Sequence, residues 1–367
     1  MFRSSLVLIA IGAATLPLQA KEYVVPAGDV GVYFKDLPAD ATALSFSAAS
    51  TYTSEGDIVL PDIPFLVIDG KGCTLKLGRN SNGFTRHVSD QKDASRKTSS
   101  RYLIKDFAAI EGGRRGVDLK ATLGSVIENC RFRSQTEAAI DLRFCLMARI
   151  GNVLVTAPAE QGIVVRHGDW PGATATNSQS NSTVLDQCRV YCAITTTNAF
   201  AVINSGGVRM ADCISEGEAA DRDLFLSATM DGDESARAGN PVVKSFTLEN
   251  LHIEHRLRKH SIYVNMPPKA IVSLSNIYWN SPQERPVILY VSGQLDLMDL
   301  GWWRSDLMIH TRVESPRINV IRCPSGLNTG DKMLRTTTRA GSFAIADPLP
   351  GNTELKLQYV RIMESSY

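Results

Sequence analysis

The chain has 367 residues, 44% of them hydrophobic and 21% charged. That composition excludes wholesale disorder and allows either two ordinary domains or one long repeat array. Lysine and arginine number 39 against 38 acidic residues, so no general field draws the chain to nucleic acid or a membrane surface, and recognition by charge must come from local clusters.

The N-terminus reads "MFRSSLVLIAIGAATLPLQAKE", with Arg3 ahead of an apolar run from Leu6 to Leu18 and charge directly after Ala20. That layout predicts a secretory signal peptide over 1–20, a mature chain starting near Lys21 and a secreted or periplasmic protein; the alternative is a buried first element. The run is too short to span a bilayer stably, and no later apolar run is long enough either. Losing Arg3 with the leader leaves 38 basic against 38 acidic side chains. The seven cysteines are an odd number, without CxxC pairs or histidine spacing that would suggest zinc.

From residue 104 onward the chain repeats. Ile104, Ile127, Ile150, Leu185, Met210, Leu248, Leu274 and Leu297 align, with spacings of 23, 23, 35, 25, 38, 26 and 23 residues. Two positions later stand Asp106, Asn129, Asn152, Gln187, Asp212, Asn250, Asn276 and Asp299. The next column is Phe107, Cys130, Val153, Cys188, Cys213, Leu251, Ile277 and Leu300, followed two residues on by Ala109, Phe132, Val155, Val190, Ser215, Ile253, Trp279 and Trp302. Alternation on either side of the polar column is strand periodicity. Asn and Asp tolerate the left-handed backbone of a sharp corner, and stacked side-chain amides can bond along a ladder. A third strand follows at Val117–Leu119, Ile140–Leu142, Ile163–Val165, Phe200–Val202, Leu224–Leu226, Ile262–Val264 and Val287–Val291. Three short strands and three turns in about 23 residues make one coil of a parallel β-helix, which buries its inner face by stacking on its neighbours. Cys130, Cys188 and Cys213 then point inward as small apolar fillers, with a Cys188–Cys213 disulfide the less favoured alternative.

With these columns in place, the chain resembles the pectate-lyase-like superfamily of right-handed parallel β-helices. "VIDGKGCTLKL" (67–77) is similar to that family's first-coil motif, and the I-x-N-φ-x-φ rungs to its corner asparagines and inner stacks. The implied fold class is all-β, a single-stranded right-handed parallel β-helix (solenoid) of about 8–10 coils with two long loops over 58–325. N-terminal strands or a cap would occupy 21–57. A C-terminal cap, with "ELKLQYVRI" as a closing strand, would occupy 326–367. The superfamily holds lyases, hydrolases, epimerases and adhesive spikes, so the fold alone names no activity. The N-T-D, paired D-D, G-H-G and R-I-K set of polygalacturonases is missing, as is the D-D-T-x-A-I opening of phage tailspikes.

Candidate chemistry sits where outward residues stack. On the third strand Asp118 and Asp141 occupy equivalent outward positions, and Val164 ends that column. Two residues on, Lys120, Arg143 and Arg166 form a basic ladder with His167 beside it. Such rows can be a solvated salt-bridge lattice or a groove for an acidic sugar, since guanidinium suits carboxylate and sulfate. The long spacings place insertions at 167–182, carrying Trp170 as a sugar-stacking ring or a loop anchor, and at 227–241, where "DGDE" (231–234) makes calcium the one conceivable cofactor. "GGRRG", with Arg114 and Arg115, and "HIEHRLRKH", with Arg256 and Arg258, fall on one edge and form a basic rim or a solvated corner.

The function expected from this set is action on an acidic, uronic-acid-containing polysaccharide. Elimination would use Lys120, Arg143, Arg166 or His167 as base or carboxylate neutraliser. Hydrolysis would use Asp118 and Asp141, with pKa values pushed apart. A non-catalytic glycan-binding or adhesion rod is the competing reading. No nucleic acid, membrane or metal partner is expected.

Overall fold

The computed structural model describes residues 21–362 except 39, 175, 228–244, 258, 266–269, 280–286, 292–293, 301–306, 312–316, 322–333, 338–341 and 347–359. The expected leader, the "DGDE" segment, Arg258 and Trp302 lie outside the described residues.

The protein is an all-β parallel β-helix. Its strands form two long sheets, one of 19 strands and one of 12, with parallel pairing from Glu22–Val24 on Ala43–Ser45 to Ser342–Ala346 on Arg317–Ile321. Each coil contributes two short strands to the larger sheet, meeting at the Asn/Asp corner, and a third to the smaller one. We call the strands before and after that corner the first and second faces, and the 12-stranded sheet the third. Stacking continues past both ends of the eight-copy repeat: Leu44 and Ile68 precede Ile104 in its column, and Val320 and Ile345 follow Leu297. At the C-terminal end Val360–Ile362 stacks on Leu334–Thr337.

The registers explain why the sequence repeats. Ile104 through Leu297 pair in unbroken succession, and each is buried. Val117, Ile140, Ile163, Phe200, Leu224 and Ile262 pair likewise on the third face. A solenoid coil has no core of its own, so these inner columns merge into one continuous apolar interior. One alignment shifts. Ile110, not Ala109, pairs with Phe132, because the coil at Phe107 carries one more residue between its inward side chains. Phe107 there packs against Phe46 and Phe84 at ring-centroid distances of 5.2 and 5.4 Å.

The polar corner column has a backbone cause. Asp106, Asn129, Asn152, Gln187, Asp212, Asn250 and Asn276 all have φ between 48° and 62°, the left-handed region that most L-residues avoid. Their side chains form a ladder: Asn129 Nδ2 donates to Asp106 at 3.0 Å, Asn152 to Asn129 at 2.9 Å, Asn250 to Asp212 at 2.6 Å and Asn276 to Asn250 at 3.3 Å. The ladder runs along the outside of the corner, exposed rather than buried.

Two short helices break the pattern among the described residues. Val30–Lys35 is N-capped by Asp29, which accepts the Val32 N–H at 3.1 Å, and it buries Val30 and Phe34 at the N-terminal end of the core. Gln91–Lys97 is capped by Asp90, which accepts the Asp93 N–H at 2.8 Å. It covers the outside of the third face. Cys73, Cys130, Cys145, Cys188, Cys192 and Cys213 are all free and buried; burial lifts the thiols of Cys73, Cys130 and Cys145 to about 12. No helix among the described residues is long and apolar enough to cross a membrane.

Candidate functional site

The expected charged columns exist in the expected register. Asp118 pairs with Asp141, Lys120 with Arg143 and Arg143 with Arg166, while Val164 follows Asp141. Strand alternation sends Val117, Leu119, Ile140 and Leu142 into the core and these charged residues to the other side. That other side is not solvent. Asp118 is 1% exposed, Asp141 2% and Arg143 5%, so the expectation of outward, solvated rows is corrected. The cover is helix Gln91–Lys97 together with the 167–182 loop. Ala94, Ala121 and Trp170 form a small buried cluster between them, against Phe144 and Val88. Trp170 donates its indole N–H to Gln91 Oε1 at 3.1 Å and is 7% exposed. It anchors the loop and offers no ring for sugar stacking. Arg86, fully buried, pins the same cover by donating to Asp62, to Ser100 and to the Lys97 and Ala121 carbonyls.

Beneath this cover the charges satisfy one another. Asp141 accepts from Arg143 at 3.0 and 2.6 Å and from Arg166 at 2.9 and 2.7 Å, with Arg115 at 3.3 Å. Asp118 accepts from the Thr85 hydroxyl at 3.1 Å and pairs with Lys120 at 3.2 Å and Arg143 at 3.4 Å. Asp169, from the loop, accepts from Arg143 at 3.0 Å, and Glu137 holds both Arg114 and Arg115. Burial alone would raise the Asp141 carboxyl, but the adjacent Arg166 and Arg143 outweigh it and hold the group well below the usual carboxylate range. Burial likewise works against the charge on Arg143, and Asp141 and Asp118 more than restore it. Held ionised beside permanently charged guanidiniums, Asp141 is not available as the protonated acid of a hydrolytic pair. His167 differs: burial and then the Arg166 charge lower its pKa, and its Nδ1 is buried without a hydrogen-bond partner.

Of the expected basic rim, Arg114 and Arg115 are held by Glu137, and Arg258 lies outside the described residues. His252 points outward, whereas His255 is buried. Lys259 pairs with Asp221 at 2.9 Å. Arg256 sits in strand Ser245–Leu257 opposite Ala219.

Sequence reasoning missed two groups. Inside the core Ser215, Asp223, His255 and Ser261 form a polar knot: Ser215 Oγ donates to Asp223 at 2.6 Å and lies 3.1 Å from His255 Nε2, which is 2.5 Å from Asp223, while Ser261 donates to Asp223 at 2.9 Å. Serine and aspartate meet the same imidazole nitrogen, so the knot is no relay, and none of its members reaches solvent. The signal was Ser215 standing in a column otherwise filled by Phe132, Val155, Val190 and Ile253.

The second group is the exposed second face. Arg131, Leu154, Arg189, Ile214, His252 and Tyr278 stack in one outward column, and Arg133, Thr156, Tyr191, Glu216 and Glu254 in the next. A groove of about 260 Å³ runs beside the corner ladder, lined by Asn129, Arg131, Asn152, Leu154 and Arg189. Arg131 and Arg189 are exposed, and neither forms an ion pair among the described residues. Tyr191 and Tyr278 are exposed on the same face, the latter stacked on His252 with centroids 5.0 Å apart. Arginines at 131 and 189 with leucine between them were visible in the sequence, but no local feature marked that column over others.

No protein-family model matches this chain, and no curated protein matches it.

Proposed function

We propose that this is a secreted or periplasmic β-helix protein of the pectate-lyase-like superfamily that binds an acidic, uronic-acid-containing polysaccharide along its second face. The observation that carries the reading is the groove between Arg131 and Arg189. These are two guanidiniums without carboxylate partners among the described residues, two coils or roughly 10 Å apart on a rigid surface, with corner amides along one side. Guanidinium forks match uronate carboxylates, the Asn side chains offer hydrogen bonds to hydroxyls, and exposed tyrosines further along offer stacking faces. The strands fix these groups in place before binding, so little ordering entropy is lost. Titration with uronic-acid polymers beside neutral polymers of the same length tests the reading: saturable, salt-sensitive binding to the acidic chains alone supports it, and equal or absent binding to both defeats it.

A second reading, β-elimination, is favoured by His167. A neutral imidazole with an unpartnered nitrogen beside Arg166 combines a base with a neutraliser of the substrate carboxylate. Arg166, its neighbour in the chain, keeps some exposure. The ultraviolet absorbance of unsaturated uronate ends, measured for the parent protein and His167→Gln, tests it. Absorbance that never develops on any bound polymer sinks elimination and leaves the binding reading standing. Hydrolysis by Asp118 and Asp141 draws no support from a carboxylate held ionised in a buried lattice.

A further inference from the structure

His252 and Glu254 alternate onto the outside of strand Ser245–Leu257, two residues apart and therefore on the same face. Glu216 faces the same way from strand Gly207–Ala220 in the neighbouring coil, directly opposite Glu254 in register. Two carboxylates opposed on adjacent strands repel, and a cation between them removes the penalty. The donor atoms are arranged to take one. His252 Nε2 is 3.2 Å from Glu254 Oε2 and 3.6 Å from Glu216 Oε1, and the three ligand atoms lie within 4.8 Å of one another. A tetrahedral zinc ion, bound at about 2.0–2.1 Å by nitrogen and oxygen, separates its ligand atoms by roughly 3.3–3.5 Å. The imidazole–carboxylate spacings sit around that edge length. The shorter one is a hydrogen bond between His252 and Glu254, which a bound ion would replace.

The surroundings orient the ligands. The His252 ring stacks on Tyr278 at an interplanar angle of 28°, which fixes its plane. Tyr191, in register with Glu216, lies against that carboxylate. Such neighbours hold metal ligands in place. One imidazole and two carboxylates suit zinc or a similar first-row divalent ion better than magnesium or calcium, which prefer oxygen alone. With three protein ligands on an exposed face, the fourth position stays open to water or a ligand oxygen.

We propose that Glu216, His252 and Glu254 form a zinc-type divalent metal site on the second face, with one coordination position open to solvent. The proposal stands whether or not that face binds a glycan. Calorimetric titration of the metal-stripped full chain with Zn²⁺ tests it, together with visible spectra after Co²⁺ loading. The expected result is one ion per chain and the d–d bands of tetrahedral cobalt. His252→Gln and Glu216→Gln should each weaken zinc binding by at least about tenfold while leaving the melting temperature of the metal-free protein unchanged. Glu254→Gln, on the same surface, provides a third variant should one of these fold poorly. Absence of zinc binding overturns the proposal. So does binding that survives His252→Gln and Glu216→Gln unchanged, and so does preference for calcium or magnesium over zinc.

Discussion

Asp141 shows how far burial changes the meaning of a charge. As a member of an exposed ion-pair row it would contribute about 1 kcal/mol or less. Under helix Gln91–Lys97 and the 167–182 loop it is the acceptor on which Arg143 and Arg166 converge. Asp141→Asn should therefore destabilise the protein by about 3–5 kcal/mol, because Arg143 and Arg166 lose the buried carboxylate they share and keep only Asp118 and the more exposed Asp169 as counter-charges; a urea melt measures it. The pH response has a definite sign. The folded-state pKa of Asp141 is depressed below its unfolded value of about 3.9, so its contribution is complete above that value and is lost as pH falls through the folded one. His167 is depressed from about 6.5. Its neutral, buried form contributes fully above that pH and progressively less as pH falls toward its folded value. Stability measured between about pH 7.5 and 5 should decline in the parent, and less steeply in His167→Gln. Parallel declines would show that His167 does not report its burial.

At the scale of the element, the corner is the unit that repeats. Asn129→Leu must hold a bulkier side chain at a φ of 54° and loses a ladder bond on each side. It should cost about 1–2 kcal/mol, whereas Asn129→Gly keeps the backbone and should cost less. Equal melts for the two variants would refute the backbone explanation. The corners and inner columns were legible because both are local: each coil must alternate apolar residues inward and turn at a fixed point, whatever lies elsewhere. The slip at Phe107 was not legible, since only the packed Phe46 and Phe84 rings show how the extra residue is absorbed. Nor was the lid over Asp118 and Asp141. It is built from a helix and a loop that belong to no repeat, joined by Trp170 and Gln91 across 79 residues of chain. The Glu216–His252–Glu254 set was hidden for a similar reason, because the 228–244 segment separates its members in sequence while the coils bring them side by side.

For the whole molecule, the solenoid divides its exterior by cover. On the third face, the coils that carry the most regular charge pattern have Asp118, Asp141 and Arg143 covered by non-repeating elements and paired with one another. The second face stays open along several coils and presents Arg131, Arg189, Tyr191, His252 and Tyr278 in straight columns. An extended polymer can follow such columns without deforming the protein, and weak contacts repeated from coil to coil add up along its length. Binding should therefore strengthen with oligosaccharide length and weaken as salt screens the arginines. The most direct test is the affinity of Arg131→Ala/Arg189→Ala for a uronic-acid polymer, measured beside the parent at matched melting temperature. The account predicts a loss of at least about tenfold with the fold intact, and unchanged affinity in a fully folded double variant would contradict it.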